Sequence, residues 1–166
     1  MVVLGIDPSF TATGYAIVRQ EGNKQQLLHH GFIGLPASKE LSERIGLFYD
    51  FFHALIAQYS ITRISLETPF LGKNTQVFLK LGYLRGIVLL LAHQYKLEIV
   101  EFSPREVKLA VTGFGGAQKD QVARMVQMLF PGLAHQKSHD VTDAIAIGLS
   151  GLWQTTLKVD RSLRTN

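Results

Sequence analysis

The amino-acid sequence predicts an α/β fold in which helices flank a mixed five-stranded sheet. Three strand-like runs near the N-terminus are separated only by short turns, two later runs each follow a helical pattern, and the last third carries helical patterns alone. Strands joined by tight turns pair antiparallel, whereas strands separated by a helix pair parallel through a crossover. We therefore expect three antiparallel strands followed by two parallel ones.

The N-terminal runs predict the antiparallel part of the sheet. Residues 1–7 form a continuous apolar run, which is typical of a strand covered on both faces. A turn at Pro8 leads to a second strand at 14–18, and the pair Gly22-Asn23 predicts a hairpin turn before a third strand at 27–33.

A helix and a fourth strand follow this hairpin. Ser38 is a favourable N-cap residue, and apolar residues then recur at helical spacing to about Tyr59. The run 61–66 predicts a strand that ends at Glu67, and a loop is expected at 68–74.

The second half of the chain is mostly helical in pattern. Thr75 is expected to cap a long helix at 75–95, which is followed by a strand at 97–102. Pro104 stands at the tolerated first position of a short helix. Two further helices are expected at 118–130 and 141–154.

The helix at 75–95 is apolar nearly all round, which predicts burial on more than one side. Gly82 and Gly86 would let another helix approach closely. Burial within the core and a two-fold dimer interface both remain open, and the interface is the preferred interpretation.

The composition fits one packed domain at 1–155, with a C-terminal tail at 156–166 that we expect to be flexible. Of the 166 residues, 46% are hydrophobic. The absence of cysteine excludes disulfides and thiolate metal ligands and suits a cytoplasmic protein. We expect no signal peptide, and the longest apolar run, 86–92, is too short for a bilayer span of about 20 residues.

The net charge of +4 and the pI of about 9.4 permit a polyanionic partner. Basic and acidic residues are spread evenly along the chain, and there is no basic tail. Contacts with phosphate therefore have to come from individually placed residues on a folded surface.

Four acidic residues are the strongest functional signal: Asp7, Glu67, Asp140 and Asp143. Asp7 and Glu67 end apolar strands, and if these strands are parallel neighbours, both carboxylates emerge at the carboxyl edge where ligands bind in open α/β sheets. Asp140 and Asp143 share a helix face by their i, i+3 spacing. Because an ionised carboxylate at low dielectric is costly unless it is paired or bound to metal, the four together predict a divalent metal site for phosphodiester hydrolysis.

Each acid taken alone has a simpler explanation. Asp140 suits a helix N-terminus, Asp7 a strand-end turn and Glu67 an exposed surface. The metal site is preferred because the simpler explanation needs four coincidences. Carboxylate oxygens suit Mg²⁺, whereas zinc is disfavoured without thiolates. For His139, a role as base or ligand and a solvated loop position remain equally open.

Four further residues are candidates for nucleic-acid contacts. Phe70, with Lys73 close behind it in the loop after Glu67, suits stacking on an unpaired base, although a place at the edge of the core is equally open. Lys108 and Lys119 bracket a glycine-rich loop at 113–116 and are expected to contact phosphate, although each alone is more often a solvated lysine.

Several spaced motifs occur together in a recognisable order. The first is Leu4-Gly5-Ile6-Asp7-Pro8 with Thr13-Gly14-Tyr15, and the second is Leu66-Glu67 with Phe70, Lys73-Asn74, Leu79-Lys80-Leu81-Gly82 and Arg85-Gly86. The others are Ser103-Pro104-Arg105-Glu106-Val107-Lys108, Val111-Thr112-Gly113 with Lys119, and Asp140-Val141-Thr142-Asp143-Ala144-Ile145-Ala146-Ile147. With these motifs the chain resembles the RuvC-type Holliday junction resolvases over nearly its whole length.

The resemblance implies a ribonuclease-H-like fold and a homodimer that makes paired, symmetric nicks at four-way DNA junctions in recombination and repair. It implies partnership with the branch-migration proteins RuvA and RuvB, and Mg²⁺, or Mn²⁺ as a substitute, as the cofactor, with two ions per site. Carried over to this sequence, the metal ligands are Asp7, Glu67, Asp140 and Asp143, and the DNA contacts include Phe70, Lys108 and Lys119. Lys119 is also expected to neutralise charge in the transition state.

The sequence argues against two other function classes. A module that binds branched DNA without cutting it gains nothing from carboxylates near phosphate, so the acidic residues argue against it. An actin-like phosphotransferase would need two such lobes, and 166 residues cannot supply them.

Overall fold

The computed structural model describes residues 1–68, 75–133 and 139–154. Its strands are β1 (Val2–Asp7), β2 (Ala12–Glu21), β3 (Lys24–Gly34), β4 (Arg63–Glu67) and β5 (Glu98–Phe102). Its helices are α1 (Leu41–Tyr59), α2 (Thr75–Tyr95), α3 (Pro104–Thr112), α4 (Lys119–Leu129) and α5 (His139–Trp153), with a short 3₁₀ helix at Pro131–Leu133.

The five strands form one mixed sheet in the order β3-β2-β1-β4-β5. The pairs β1–β2 and β2–β3 are antiparallel, whereas β1–β4 and β4–β5 are parallel. This confirms the predicted fold class. The hairpin turn at Gly22, where φ is +58°, is also as expected, but β3 begins at Lys24 and is longer than predicted.

Two helix starts differ from the prediction. Helix α1 begins at Leu41 rather than after Ser38, because the Glu43 carboxylate accepts a hydrogen bond from the Glu40 N–H at 3.2 Å and fixes the first turn there. Helix α5 begins at His139, before the predicted 141, so Asp140 lies inside its first turn. For α3 the predicted start is confirmed, with Ser103 as N-cap and Pro104 as the first helical residue.

Both faces of the sheet are covered, which explains why the central strands are apolar on both sides. Helices α3, α4 and α5 pack on one face and share a core with Val3 and Ala16. Helices α1 and α2 pack on the other face and share a core with Leu4 and Ile17. Because side chains alternate along a strand, odd-numbered residues of β1 face α5 and even-numbered ones face α1 and α2.

Helix α5 lies unusually close to the sheet. A Cβ added at Gly5 would overlap the Ala144 carbonyl oxygen, and one at Gly14 would overlap the Asp140 carbonyl oxygen. The Ser65 hydroxyl donates to the Ile147 carbonyl at 2.7 Å. These contacts fix the height and register of α5 over β1, β2 and β4.

A buried arginine anchors the far end of α5. Arg63, at the start of β4, is 1% exposed and donates to the carbonyl oxygens of Gly151 and Gln154. Its guanidinium also pairs with the Glu98 carboxylate at 2.7 Å. Since a buried charge has to be paired and hydrogen-bonded, Arg63 ties β4, β5 and α5 together.

Helix α2 buries one side only. Leu84, Val88, Leu91 and Ala92 are buried, whereas other large apolar side chains of this helix are exposed. The exposed ones are Val77, Phe78, Leu79, Tyr83, Leu89 and Leu90. The alternative that the core of a single chain buries α2 on more than one side is therefore wrong. The dimer interface on this helix stays a prediction.

By length and composition alone, the whole of α2 is long and apolar enough to cross a membrane. The uninterrupted apolar run 86–92 within it is too short to do so. Core helices of soluble proteins pass the same test, so this property by itself carries little weight.

Candidate active site

Asp7 and Glu67 lie side by side at the carboxyl edge of the sheet. Residue pairing along β1 and β4 runs from Val3 with Arg63 to Ile6 with Leu66, which makes Asp7 and Glu67 the next pair. Both side chains point to the α5 face, because Gly5 and Ser65, two residues earlier on the same strands, contact α5. Adjacent strands lie about 4.8 Å apart, so the two carboxylates are neighbours.

The third carboxylate comes from α5. Asp143 lies in the second turn of this helix, which stands directly above β1. Its Oδ2 atom accepts a hydrogen bond from Lys119 Nζ at 3.0 Å. Lys119 is the first residue of α4, and its side chain is 68% exposed against 26% for Asp143, so the pair sits at the mouth of the site.

The electrostatics of Asp7 reflect this convergence. Burial, followed by the charges of Asp143, Glu67 and Asp140 in that order, raises the pKa of the Asp7 carboxyl from 3.8 to about 7, although the charge of Lys119 acts in the opposite direction. Charges act on one another in this way only when they are close, so Asp7 is the centre of the acidic cluster.

The pKa of Glu67 shifts in the same direction. Burial raises its pKa and Asp143 raises it further, whereas Lys119 and Lys108 lower it. The hydrogen bond to Asp143 raises the pKa of Lys119, which keeps this lysine protonated. The cluster is therefore a group of repelling carboxylates with lysines at its rim.

One cavity collects most of the predicted site residues. It is lined by Asp7, Glu67, Lys108, Lys119 and Asp143 together with Pro104, Val107, Val122 and Ala146. These side chains come from β1, β4, α3, α4 and α5, so the fold brings together residues from five separate elements.

Asp140 occupies a more peripheral position. Its charge raises the pKa of Asp7, so the two carboxyl groups are close, but the side chains that line the cavity do not include Asp140. Its carbonyl oxygen rests on Gly14, so the backbone of Asp140 is fixed against β2.

Three predicted residues are not placed at this site. Phe70 and Lys73 lie outside the described residues, and the roles predicted for them stay predictions. His139 is the first residue of α5, and its side chain is not described. The sequence also contains an i, i+4 histidine pair, His135 and His139, of which His135 lies outside the described residues.

The donor chemistry fits a hard divalent cation. The cluster offers carboxylate oxygens and no sulfur, and burial together with the neighbouring acids raises the pKa of the Asp7 carboxyl to about 7. Within the described residues, however, no group of three or more Asp, Glu or His side chains is already arranged around one ion. In this structure the Asp143 carboxylate is paired with the Lys119 ammonium instead, so a cation would have to compete with Lys119 for Asp143.

A second cavity adjoins the first and contains a residue that the sequence analysis did not assign to the site. Asp7 and Glu67 line it together with Pro8, Leu66, Thr68, Leu81 and Arg85. Arg85 forms an ion pair with Glu101 of β5. Arg85 interrupts the apolar pattern of α2 one turn after Leu81, and this interruption was the available sequence signal.

Comparison with known proteins gives concordant matches. The sequence model of the family described as "Crossover junction endodeoxyribonuclease RuvC" matches residues 3–151. A relative of that name from Chlorobium phaeobacteroides is 46% identical over 152 residues, covering 92% of this chain and 81% of the relative.

Solved structures with the same fold are similar over most of the chain. "T. thermophilus RuvC in complex with Holliday junction substrate" superposes with a TM-score of 0.82 at 26% identity, covering 90% of this chain and 92% of that one. The yeast mitochondrial Holliday junction resolvase Ydc2 has a TM-score of 0.69 at 15% identity, covering 89% and 76%, which shows a shared fold alone.

Proposed function

The chain belongs to the RuvC family and has its ribonuclease-H-like fold, and from this premise we propose how its cavity cuts DNA. The chain is a crossover junction endodeoxyribonuclease that resolves four-way DNA junctions. We assign this function to individual residues because one cavity is lined by Asp7, Glu67 and Asp143 together with Lys108 and Lys119.

In this proposal the carboxylates hold divalent metal. The proposed ligands are Asp7, Glu67, Asp143 and Asp140, of which Asp140 raises the pKa of Asp7 but is not among the residues that line the cavity. We propose Mg²⁺, with Mn²⁺ as a substitute and two ions per site. Held by these carboxylates, divalent ions would supply water activation and charge stabilisation for phosphodiester hydrolysis.

The lysines act on the DNA. Lys108 and Lys119 line the cavity, and the exposed Lys119 ammonium pairs with Asp143 through a single hydrogen bond. A phosphate that enters the cavity offers Lys119 an alternative anionic partner. Lys119 then neutralises part of the charge that develops on the phosphate, while Lys108 holds the phosphate or its neighbour. Phe70 and Lys73 remain proposed contacts with the opened junction.

Paired nicking requires two active sites. The exposed apolar side chains of α2, with Gly82 and Gly86 open to solvent on their Cβ side, support a homodimer built on this helix. RuvA and RuvB remain proposed partners, and a cytoplasmic location, where such junctions arise in a bacterial cell, is part of the same proposal.

The decisive experiment compares synthetic four-way junctions with linear duplex of the same sequence, in Mg²⁺, in Mn²⁺ and in EDTA. We expect symmetric nicks in the junction alone and only with a divalent ion. Equal cutting of both substrates would contradict junction selectivity, and binding without cutting in every ion would favour the non-cutting DNA-binding module.

The D7N variant tests the role of the acidic cluster. We expect a loss of cutting of more than about 100-fold, since losing even outer-shell partners of a metal costs 10–100-fold, while junction binding in EDTA persists. Cleavage and electrophoretic mobility shift are measured on the same preparation. Normal nicking by D7N would refute the assignment of Asp7.

A further inference from the structure

An exposed aromatic side chain lies in the loop that joins the two lysines of the cavity. Phe114 stands between α3, which carries Lys108, and α4, which begins with Lys119. The side chain is 64% exposed. Neither the fold nor the proposed chemistry of the carboxylates explains a phenyl ring at this position, because the ring adds little to the core.

The backbone of Phe114 is held rigidly although its ring is exposed. The Thr112 hydroxyl accepts a hydrogen bond from the Phe114 N–H at 3.1 Å and lies within donating distance of the carbonyl oxygens of Lys108 and Phe114, at 2.8 and 3.1 Å. The Ala117 N–H donates to the Phe114 carbonyl at 3.1 Å. One hydroxyl thus links the turn that carries Lys108 to Phe114.

The ring itself is also restricted. A Cβ added at Gly116 would lie 2.7 Å from Cζ of Phe114, so the ring rests against the backbone of Gly116. A side chain at 116 would displace it. A ring that already rests on the backbone on one side loses less conformational entropy when a ligand binds to its exposed side.

The residues around the ring favour a ligand that carries both negative charge and aromatic rings. Lys108 and Lys119, on the two helices that this loop joins, line the cavity of the acidic cluster, and Arg105 packs against Gly115 of the same loop. Of the nearby acids, Glu106 is held by hydrogen bonds to Ser103. An exposed aromatic side chain on a loop flanked by basic residues is an arrangement by which proteins hold nucleic-acid strands, with the bases stacked and the phosphates paired.

We propose that Phe114 is a nucleobase-stacking residue, which takes an unpaired or duplex-terminal base next to the phosphate held by Lys108 and Lys119. This subsite rests on the proposed function for the identity of the DNA. It assigns a separate task to the α3–α4 loop: the lysines hold the backbone, and Phe114 fixes the adjacent base.

The test measures binding of a four-way junction in EDTA, so that cutting is not required. We expect F114A to weaken binding about tenfold, equivalent to about 1.4 kcal/mol at 25 °C, while F114W and F114Y bind as the parent does. F114L keeps an apolar side chain but no aromatic face, and we expect it to bind as weakly as F114A. M128A is the matched control, because Met128 is an equally apolar and more exposed residue, at 73%, near the other end of α4.

Two further readouts separate stacking from a loss of charge or of fold. A 2-aminopurine base placed near the cut site should change its fluorescence on binding to the parent and F114W, but not to F114A. The slope of log K against log salt should be unchanged in F114A, whereas K108A should lower it by about one. Thermal unfolding of F114A should match that of the parent, because the side chain is exposed.

Thr112→Val tests the positioning of the ring. This variant removes the hydroxyl that holds the Phe114 backbone. We expect weaker binding in the parent background and no further loss in the F114A background, since the two residues act as one unit.

The outcomes distinguish this proposal from the proposed function. If the parent cuts junctions but F114A or F114L binds them as the parent does, the stacking role is wrong and the nuclease assignment stands. If binding depends on Phe114 as expected but no divalent ion supports cutting, the nuclease assignment is wrong and the stacking site stands.

Discussion

At the scale of single residues, the Asp7 carboxyl shows how the site conflicts with the stability of the fold. Asp7 ends a strand that the apolar pattern predicts, and this position alone placed it at the sheet edge. Its burial and the acids around it raise its pKa to about 7. The sequence indicated which residues would be involved, but the size of the electrostatic cost follows from the depth of the cavity.

This pKa shift predicts a particular dependence of stability on pH. Between about pH 4 and 7 the folded protein keeps a proton on Asp7 that the unfolded chain has lost, so the free energy of unfolding falls as pH rises, by a few kcal/mol in total. In EDTA, D7N should therefore be more stable than the parent at pH 8 and about equally stable at pH 4. Urea unfolding at both pH values measures this.

A divalent cation supplies the control for this prediction. Mg²⁺ should stabilise the folded parent at pH 8 and stabilise folded D7N less, because D7N lacks one of the proposed metal ligands and binds the ion more weakly. A stability difference between the parent and D7N that is the same at pH 4 and pH 8 would contradict the shifted pKa of Asp7.

At the scale of elements, the placement of α5 decides where its acids lie. The spacing of Asp140 and Asp143 predicted a shared helix face, and the apolar run after them predicted the helix. The contact of the Asp140 carbonyl with Gly14 was not predictable, because these residues are far apart in the chain and glycine has several uses.

Gly14 therefore offers a test of α5 positioning. In G14A the new Cβ would overlap the Asp140 carbonyl oxygen, so α5 has to move. We expect a destabilisation of about 1–3 kcal/mol and a loss of cutting of about 10–100-fold, because small displacements of reacting groups are costly.

The matched control for G14A is G46A, in the middle of α1. A Cβ at Gly46 meets nothing within 4 Å, and alanine favours helix, so G46A should be stabilised by about 0.5–1 kcal/mol with normal cutting. Thermal unfolding and junction cleavage measure both variants. Unchanged stability and cutting in G14A would show that α5 does not depend on this close approach.

At the scale of the whole molecule, the exposed side of α2 bears on assembly. The sequence showed a helix that is apolar nearly all round, and the structure shows that one chain covers only part of it. Leu79 is 51% exposed and Leu90 is 44% exposed. Exposed apolar area of this kind is typical of an interface.

Leu90→Glu should separate the proposed dimer into monomers, because a charge would be buried without a partner at the interface. Light scattering after gel filtration measures the mass, and a cruciform plasmid distinguishes paired nicks, which linearise it, from single nicks. Gln58→Glu on the exposed side of α1 is the control and should stay dimeric. A dimeric L90E would place the interface elsewhere.

The sequence by itself determined the succession and direction of the strands and the positions of Asp7 and Glu67 at strand ends, because periodicity and turn residues act over short stretches of chain. The sheet order β3-β2-β1-β4-β5 then made the two strands neighbours, which was the condition for the two carboxylates to meet. Only the tertiary structure decided the raised pKa of Asp7, the burial of Arg63 under the end of α5 and the exposed side of α2. Desolvation, charge interactions and close contact depend on distances between segments far apart in sequence, and no local pattern contains those distances.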